Sequence, residues 1–96
     1  MSANHNPKPV RAIISGDNNT GLDKFQSFFE KDRDIKVVGK SLTVEETIQL
    51  IQKTHPDMLI LALSKSSEKS PEWRAFKRNY SDSVKSIVYL SNDLIH

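Results

Sequence analysis

The run Ile14-Ser15-Gly16-Asp17-Asn18-Asn19-Thr20-Gly21 gathers hydroxyl, amide and carboxylate side chains between the apolar stretch Val10-Arg11-Ala12-Ile13-Ile14 and the segment LDKFQSFF. A small polar loop that joins an apolar strand to a helix is where α/β proteins place phosphate chemistry. Gly16 and Gly21 have the glycine spacing of a phosphate loop, which then requires Lys followed by Ser or Thr. Leu22 and Asp23 stand there instead. The cation that meets the phosphates is missing, and an acid sits where it would repel them. The two glycines then read as turn and helix-start residues. Asp17 reads as an Asx-turn or capping residue, or as a carboxylate left over from a metal loop. Other polar groups follow later apolar runs: Ser64, and Ser91, Asn92 and Asp93. His5, His55 and His96 are too far apart in sequence to form a ligand pair, and there is no cysteine.

An alternation of strands and helices must position these groups. Val10 to Ile14 reads as a buried strand. Leu22, Phe25, Phe28 and Phe29 fall at helical spacing within Thr20 to Lys31. Ile35 to Val38 is a second strand, ended by Gly39. In TVEETIQLIQKTHP, Thr43 and Glu46 have the spacing of a capping box. Val44, Ile48 and Ile51 then share one face, Pro56 stops the helix, and His55 sits at its C-terminus, where it meets the dipole. Met58 to Leu63, MLILAL, is a continuous apolar run that suits a central parallel strand covered on both faces. SKSSEKS is a polar loop. Ser70-Pro71-Glu72 is an N-cap with proline at the first helical position, and Trp73, Phe76 and Tyr80 form the inner stripe of the helix that follows. Ser86 to Leu90, SIVYL, is a fourth strand. The order β-α-β-α-β-α-β predicts a parallel sheet with right-handed crossovers and helices on both faces. In such a sheet the site lies at the carboxyl ends of the strands.

Composition sets limits. The chain has 96 residues, 36% apolar and 27% charged, with a formal net charge of +2. That describes one small globular domain. The basic residues are scattered rather than clustered, which argues against nucleic-acid binding by this segment. No apolar run approaches a membrane span. The opening MSANHNPKP has no apolar core of the signal-peptide kind, and 1–9 reads as a disordered arm ahead of a domain over 10–96. A cytoplasmic location is expected.

The chain resembles the receiver domain of two-component response regulators, closest to those with a helix-turn-helix output domain. VRAIISGDNN is similar to the first strand and acidic loop of that family. DIKVVGKSLTVEETIQLIQKTHPDMLILALS is similar to its second strand, second helix and third strand, with DIKVVG and HPDMLIL the most specific pieces. The resemblance implies a flavodoxin-like (CheY-like) sheet of strand order 2-1-3-4-5, here expected to stop before the fifth strand and fifth helix. It also implies two acids after the first strand that hold magnesium, and Gly16 and Asp17 occupy those places. The phospho-accepting aspartate would end the run Pro56-Asp57-Met58-Leu59-Ile60-Leu61-Ala62, so Ala62 occupies the acceptor position. The hydroxyl residue that ends the fourth strand falls on Leu90, or on Ser91 after a shift of one.

An acyl phosphate requires a carboxylate, which Ala62 lacks. Asp57 lies five residues earlier, about 16 Å away along a strand at about 3.3 Å per residue. Ser64 is closer, but a lone hydroxyl is a weak nucleophile without a base beside it. Magnesium prefers an octahedral oxygen shell that includes carboxylates, and Asp17 alone supplies one residue. The expectation is a signalling or transcription-control module that is not an enzyme, takes no cofactor or small-molecule substrate, and works by contact with a protein partner or a second copy. Ser86, Ile87, Val88, Tyr89 and Leu90, as an edge strand, are the candidate contact residues. Two alternatives stand beside it: a regulatory fragment of a longer DNA-binding regulator, and a phosphate- or nucleotide-binding protein that uses the Gly16–Gly21 loop.

Overall fold

The computed structural model describes residues 9–91, with the side chain of Ser91 left out; the expected arm, apart from Pro9, and Asn92 and Asp93 lie outside the described residues. Four parallel strands form one sheet in the order β2-β1-β3-β4, where β1 is Val10–Gly16, β2 Ile35–Ser41, β3 Met58–Leu63 and β4 Ser86–Ser91. The helices are α1 (Asn19–Glu30), α2 (Val44–Thr54), the short α3 (Lys65–Glu68) and α4 (Pro71–Tyr80), followed by a 3-10 turn over Ser81–Ser83. This is the doubly wound arrangement expected from the alternation.

The pleat of the sheet divides the core in two. Ala12, Ile14, Ile60 and Ala62 face α1 and pack with Leu22, Phe25 and Phe29. Ile13, Leu59, Leu61 and Leu63 face the other way and pack with Ile51 of α2 and with Trp73 and Phe76 of α4. The aromatic stripe of α4 is inward as its spacing requires. Trp73 meets Phe76 edge to face at 5.5 Å, and Phe76 stacks on Tyr80 at 5.3 Å. Among the described residues, two helices of full length therefore cover one face of the sheet, and α1 alone packs on the other.

Several boundaries differ from the sequence reading, each for a local reason. β1 runs on through Ser15 and Gly16, because both continue the pairing with β3. Only Asp17 and Asn18 separate it from α1. Asn18, not Asp17, is the cap: its Oδ1 accepts from the Gly21 N–H at 3.0 Å. Gly21 lies inside the first turn. Phe28 belongs to the apolar spacing of α1 yet is 67% exposed. β2 passes through Gly39 to Ser41, and its register with β1 jumps by one, Ala12 opposite Val37 and Ile13 opposite Gly39. The polar loop SKSSEKS contains α3, capped by Ser64.

Thr43 caps α2, accepting from the Glu46 N–H at 3.1 Å, but Glu46 returns to the N–H of Leu42 rather than to that of Thr43. At the other end His55 is in the left-handed conformation (φ 49°, ψ 62°) and stops the helix directly before Pro56. Its imidazole is not what meets the last carbonyls. The Arg11 guanidinium of β1 does so, donating to the carbonyls of Thr54 at 2.6 Å and His55 at 3.3 Å. Asp57 lies at the same, amino-terminal end of the sheet. It accepts from the Arg11 N–H at 3.2 Å and sits 3.8 Å from Lys85, far from any chemistry at the carboxyl ends.

Candidate functional site

The strand register sets Gly16 opposite Ala62 and Ala62 opposite Leu90. One row across three strands therefore holds the positions that the family resemblance assigns to an acid, the phosphoacceptor and the hydroxyl. None carries a functional group. Ala62 is fully buried beside Ile14, Leu22 and Ile60, and Leu90 is half-buried against the same cluster.

Gly16 leaves no room for a side chain. A Cβ built there would lie 2.6 Å from the Ala62 carbonyl oxygen and 2.9 Å from Leu22 Cδ2. The backbone and Leu22 have closed over the space that a side chain at position 16 would occupy. The position is shut by packing.

Asp17 points across the end of the sheet rather than back onto its own loop. Its carboxylate accepts from the Ser64 N–H at 3.3 Å, from Ser64 Oγ at 2.5 Å and from the Ser67 hydroxyl. Ser64 Oγ in turn accepts from the Ser67 N–H at 3.4 Å. The carboxylate thus fastens α3 to the end of β1, and hydroxyl protons are turned toward it. Magnesium is the ion that the receiver resemblance implies, and the residues present do not fit it. Position 16 supplies no oxygen side chain, position 62 supplies none, and the one carboxylate at the site among the described residues, Asp17, is engaged by hydrogen-bond donors. Among the described residues no group of three or more His, Asp or Glu could hold a metal ion. The nucleotide loop fits no better, since Gly16 is paired in the sheet and the Gly21 N–H is held by Asn18. Ser64 is brought to the site, as its place in the sequence implied. Ser67 was not foreseen, because it needed α3 to turn it back toward Asp17.

A second polar cluster lies just inside this edge. The hydroxyls of Ser15, Ser41 and Thr47 form a buried triangle with sides of 2.7, 2.8 and 2.6 Å, and Thr47 Oγ1 also lies 2.8 Å from the Thr43 carbonyl. The register jump in β2 makes it. Ile35 and Val37 pack toward α1, so strict alternation would carry Ser41 to that side too. One extra residue turns it toward α2, where it meets Ser15 and Thr47. The sequence signal was a serine ending each of two apolar strands.

Of the candidate contact residues, Tyr89 is 51% exposed, Ser86 is exposed, and Ile87, Val88 and Leu90 are half-buried. Beside Leu90, a groove of about 410 Å³ is lined by Lys24, Phe25, Phe28 and Phe29 of α1.

No family model and no curated protein matches the chain. Solved structures do. The RcsB response regulator of Salmonella typhimurium, in two crystal structures, superposes over 88% and 86% of the chain with TM-scores of 0.70 and 0.69 at 22% and 20% identity. The signal receiver domain of NarL from Mycobacterium tuberculosis superposes over 88% with a TM-score of 0.66 at 19% identity. The chain has the receiver fold. It spans 43% and 41% of the two RcsB chains and 68% of the NarL domain. Among the described residues no helix is long and apolar enough to cross a membrane.

Proposed function

We propose that this chain is a receiver-type signalling module that acts through protein contacts and is neither phosphorylated on aspartate nor an enzyme. The observation that carries the reading is the row Gly16, Ala62 and Leu90. In a receiver fold this row would supply the acid, the phosphoacceptor and the hydroxyl, and here it is apolar and closed. Asp17, the one acid at the site among the described residues, holds Ser64 and Ser67. With no carboxylate at position 62 there is no oxygen to form the acyl phosphate, and with no second carboxylate among the described residues there is little to hold a divalent cation beside it. A module of this kind presents one surface constantly, and its partner recognises that surface rather than a phosphorylation state.

Incubation with acetyl phosphate and magnesium, followed by intact-mass measurement, tests the reading. No phosphoryl adduct is expected on the natural chain, nor on Ala62→Asp, whose carboxylate would enter a fully buried apolar site without a metal to pair with. A stable, magnesium-dependent single adduct on the natural chain would overturn the reading. Efficient labelling of folded Ala62→Asp would show that the closed position 16 is no obstacle.

A further inference from the structure

We infer that the outward face of α4 takes an acidic segment of a partner protein, whose glutamate or aspartate side chains are received by the guanidinium groups of Arg74 and Arg78. The inference rests on the protein-contact reading above and names the surface that makes the contact and the chemistry that it selects.

Trp73 and Phe76 are buried and fix the inner face of α4. At about 100° per residue, Pro71 and Arg78 lie about 170° from the middle of that face and Arg74 about 130° from it. All three are exposed, and they line a groove of about 470 Å³. This surface belongs to one helix and looks away from the sheet. Arg74 and Arg78 stand one turn apart on it.

A helix stabilises a cation through a carboxylate three or four residues away, or through a place in its last turn. Arg74 has neither. It is the fourth residue of α4, and the positions three and four away hold Ser70, Pro71, Lys77 and Arg78. Its helical neighbours are therefore two further cations, which is an unfavourable arrangement within the chain. Glu72, the one acid of α4, falls about 160° from Arg74 and about 120° from Arg78. Asp82 follows Arg78 by four residues but lies beyond the helix, in the 3-10 turn. Among the described residues neither arginine has an ion pair. A guanidinium fork matches a carboxylate in a bidentate way, and the arginine stems and the Pro71 ring give apolar area beside it. Side chains one helical turn apart have Cβ atoms about 6 Å apart, so a segment with two carboxylates at similar spacing meets both forks. A second copy of this chain meeting the same face symmetrically would bring the arginines together. Charge complementarity thus selects an acidic partner.

The test uses a fluorescein-labelled, alanine-based helical peptide with glutamates one turn apart, and its glutamine and lysine counterparts. Anisotropy reads binding. The acidic peptide is expected to bind saturably, and the other two are not. Arg74→Gln with Arg78→Gln changes two exposed side chains and leaves the buried stripe of α4 in place. This double variant is expected to weaken binding by about fivefold or more. Lys36→Gln with Lys53→Gln removes the same charge from exposed positions elsewhere and is expected to weaken it by less than about twofold. Absence of saturable binding, equal binding of the glutamine peptide, or equal loss in the two double variants would overturn the inference. So would tighter binding of a single-stranded oligonucleotide that the arginine variant abolishes, which would make the occupant a nucleic acid. Self-association of the natural chain in sedimentation, lost in the arginine variant, would overturn it in favour of a second copy. Failure here with no adduct from acetyl phosphate removes only the α4 surface, whereas an adduct removes the reading it rests on.

Discussion

The three buried hydroxyls of Ser15, Ser41 and Thr47 bring three protons to four close oxygen contacts, the fourth being to the Thr43 carbonyl. One contact must therefore lack a proton in any arrangement, and the members are not equivalent. Without Ser15, Ser41 can donate to Thr47 and Thr47 to the carbonyl, so every remaining proton has an acceptor. Without the Thr47 hydroxyl, two serines share one hydrogen bond and one buried proton is left over. Thr47→Val, which keeps the shape, is thus expected to cost about 1–2 kcal/mol, and Ser15→Ala less than about 1 kcal/mol. Urea denaturation of the two variants checks the ranking, and the reverse order would contradict this account. The triangle was illegible in the sequence because one residue's shift in β2 decides which face Ser41 takes. That Ala62 brings no carboxylate to the end of β3 is a matter of residue type and was legible in the sequence; that its place is the acceptor position was implied only by the family resemblance. The closure at Gly16 was not, since it depends on how near the β3 backbone and Leu22 come.

Elements were read best where their ends are written in side chains. The caps of α2 and α4 follow from Thr43 and Ser70, which accept from Glu46 and Trp73 as their spacing requires. They were read least well where a long-range partner sets the end. β1 and β2 outrun their apolar runs because neighbouring strands go on pairing with them, and α3 forms within a polar segment that Asp17 secures. The C-terminus of α2 combines both cases. Pro56 was a stop signal, but the stop is made by His55 in a left-handed conformation that side chains with a Cβ occupy at a cost. Arg11, a residue with no visible reason to be near, satisfies the carbonyls. His55→Gly relieves the backbone and leaves the Arg11 bonds in place, since those are made to main-chain oxygens. After the larger entropy of an unfolded glycine is offset, the variant is expected to gain roughly 0.5–1 kcal/mol. His55→Val, β-branched at positive φ, is expected to lose stability. Thermal unfolding of both variants checks this, and a loss on His55→Gly would mean that the imidazole holds the helix end after all.

At the scale of the whole molecule, strand order and the asymmetry of cover decide where the fold opens. β1 and β3 are central, and their residues Ala12, Ile13, Ile14, Leu59 and Ile60 are all fully buried. Alternation and right-handed crossovers predicted a parallel sheet covered on both faces, and the continuous apolar run MLILAL a central strand in it, but the strand order was implied only by the resemblance to the receiver family. The outward turn of Phe28 could not be read, because its spacing with Leu22, Phe25 and Phe29 is that of an inner face. Local opening follows buried contact and hydrogen bonding. Among the described residues β4 is paired on one side and carries a half-exposed Tyr89, and on its α1 face Leu90 borders a groove. Amide exchange in the unliganded protein is therefore expected to be slowest in β1 and β3, set there by global unfolding. Over 86–90 it should be faster by about tenfold or more, equivalent to at least about 1.4 kcal/mol less protection. Adding urea at low concentration separates the two classes. Exchange through global unfolding accelerates steeply with urea, whereas fraying of an edge strand exposes little surface and hardly responds. If β4 exchanged with β3 at one rate and with one urea dependence, the sheet would open as a single unit and this edge would not be its weakest part.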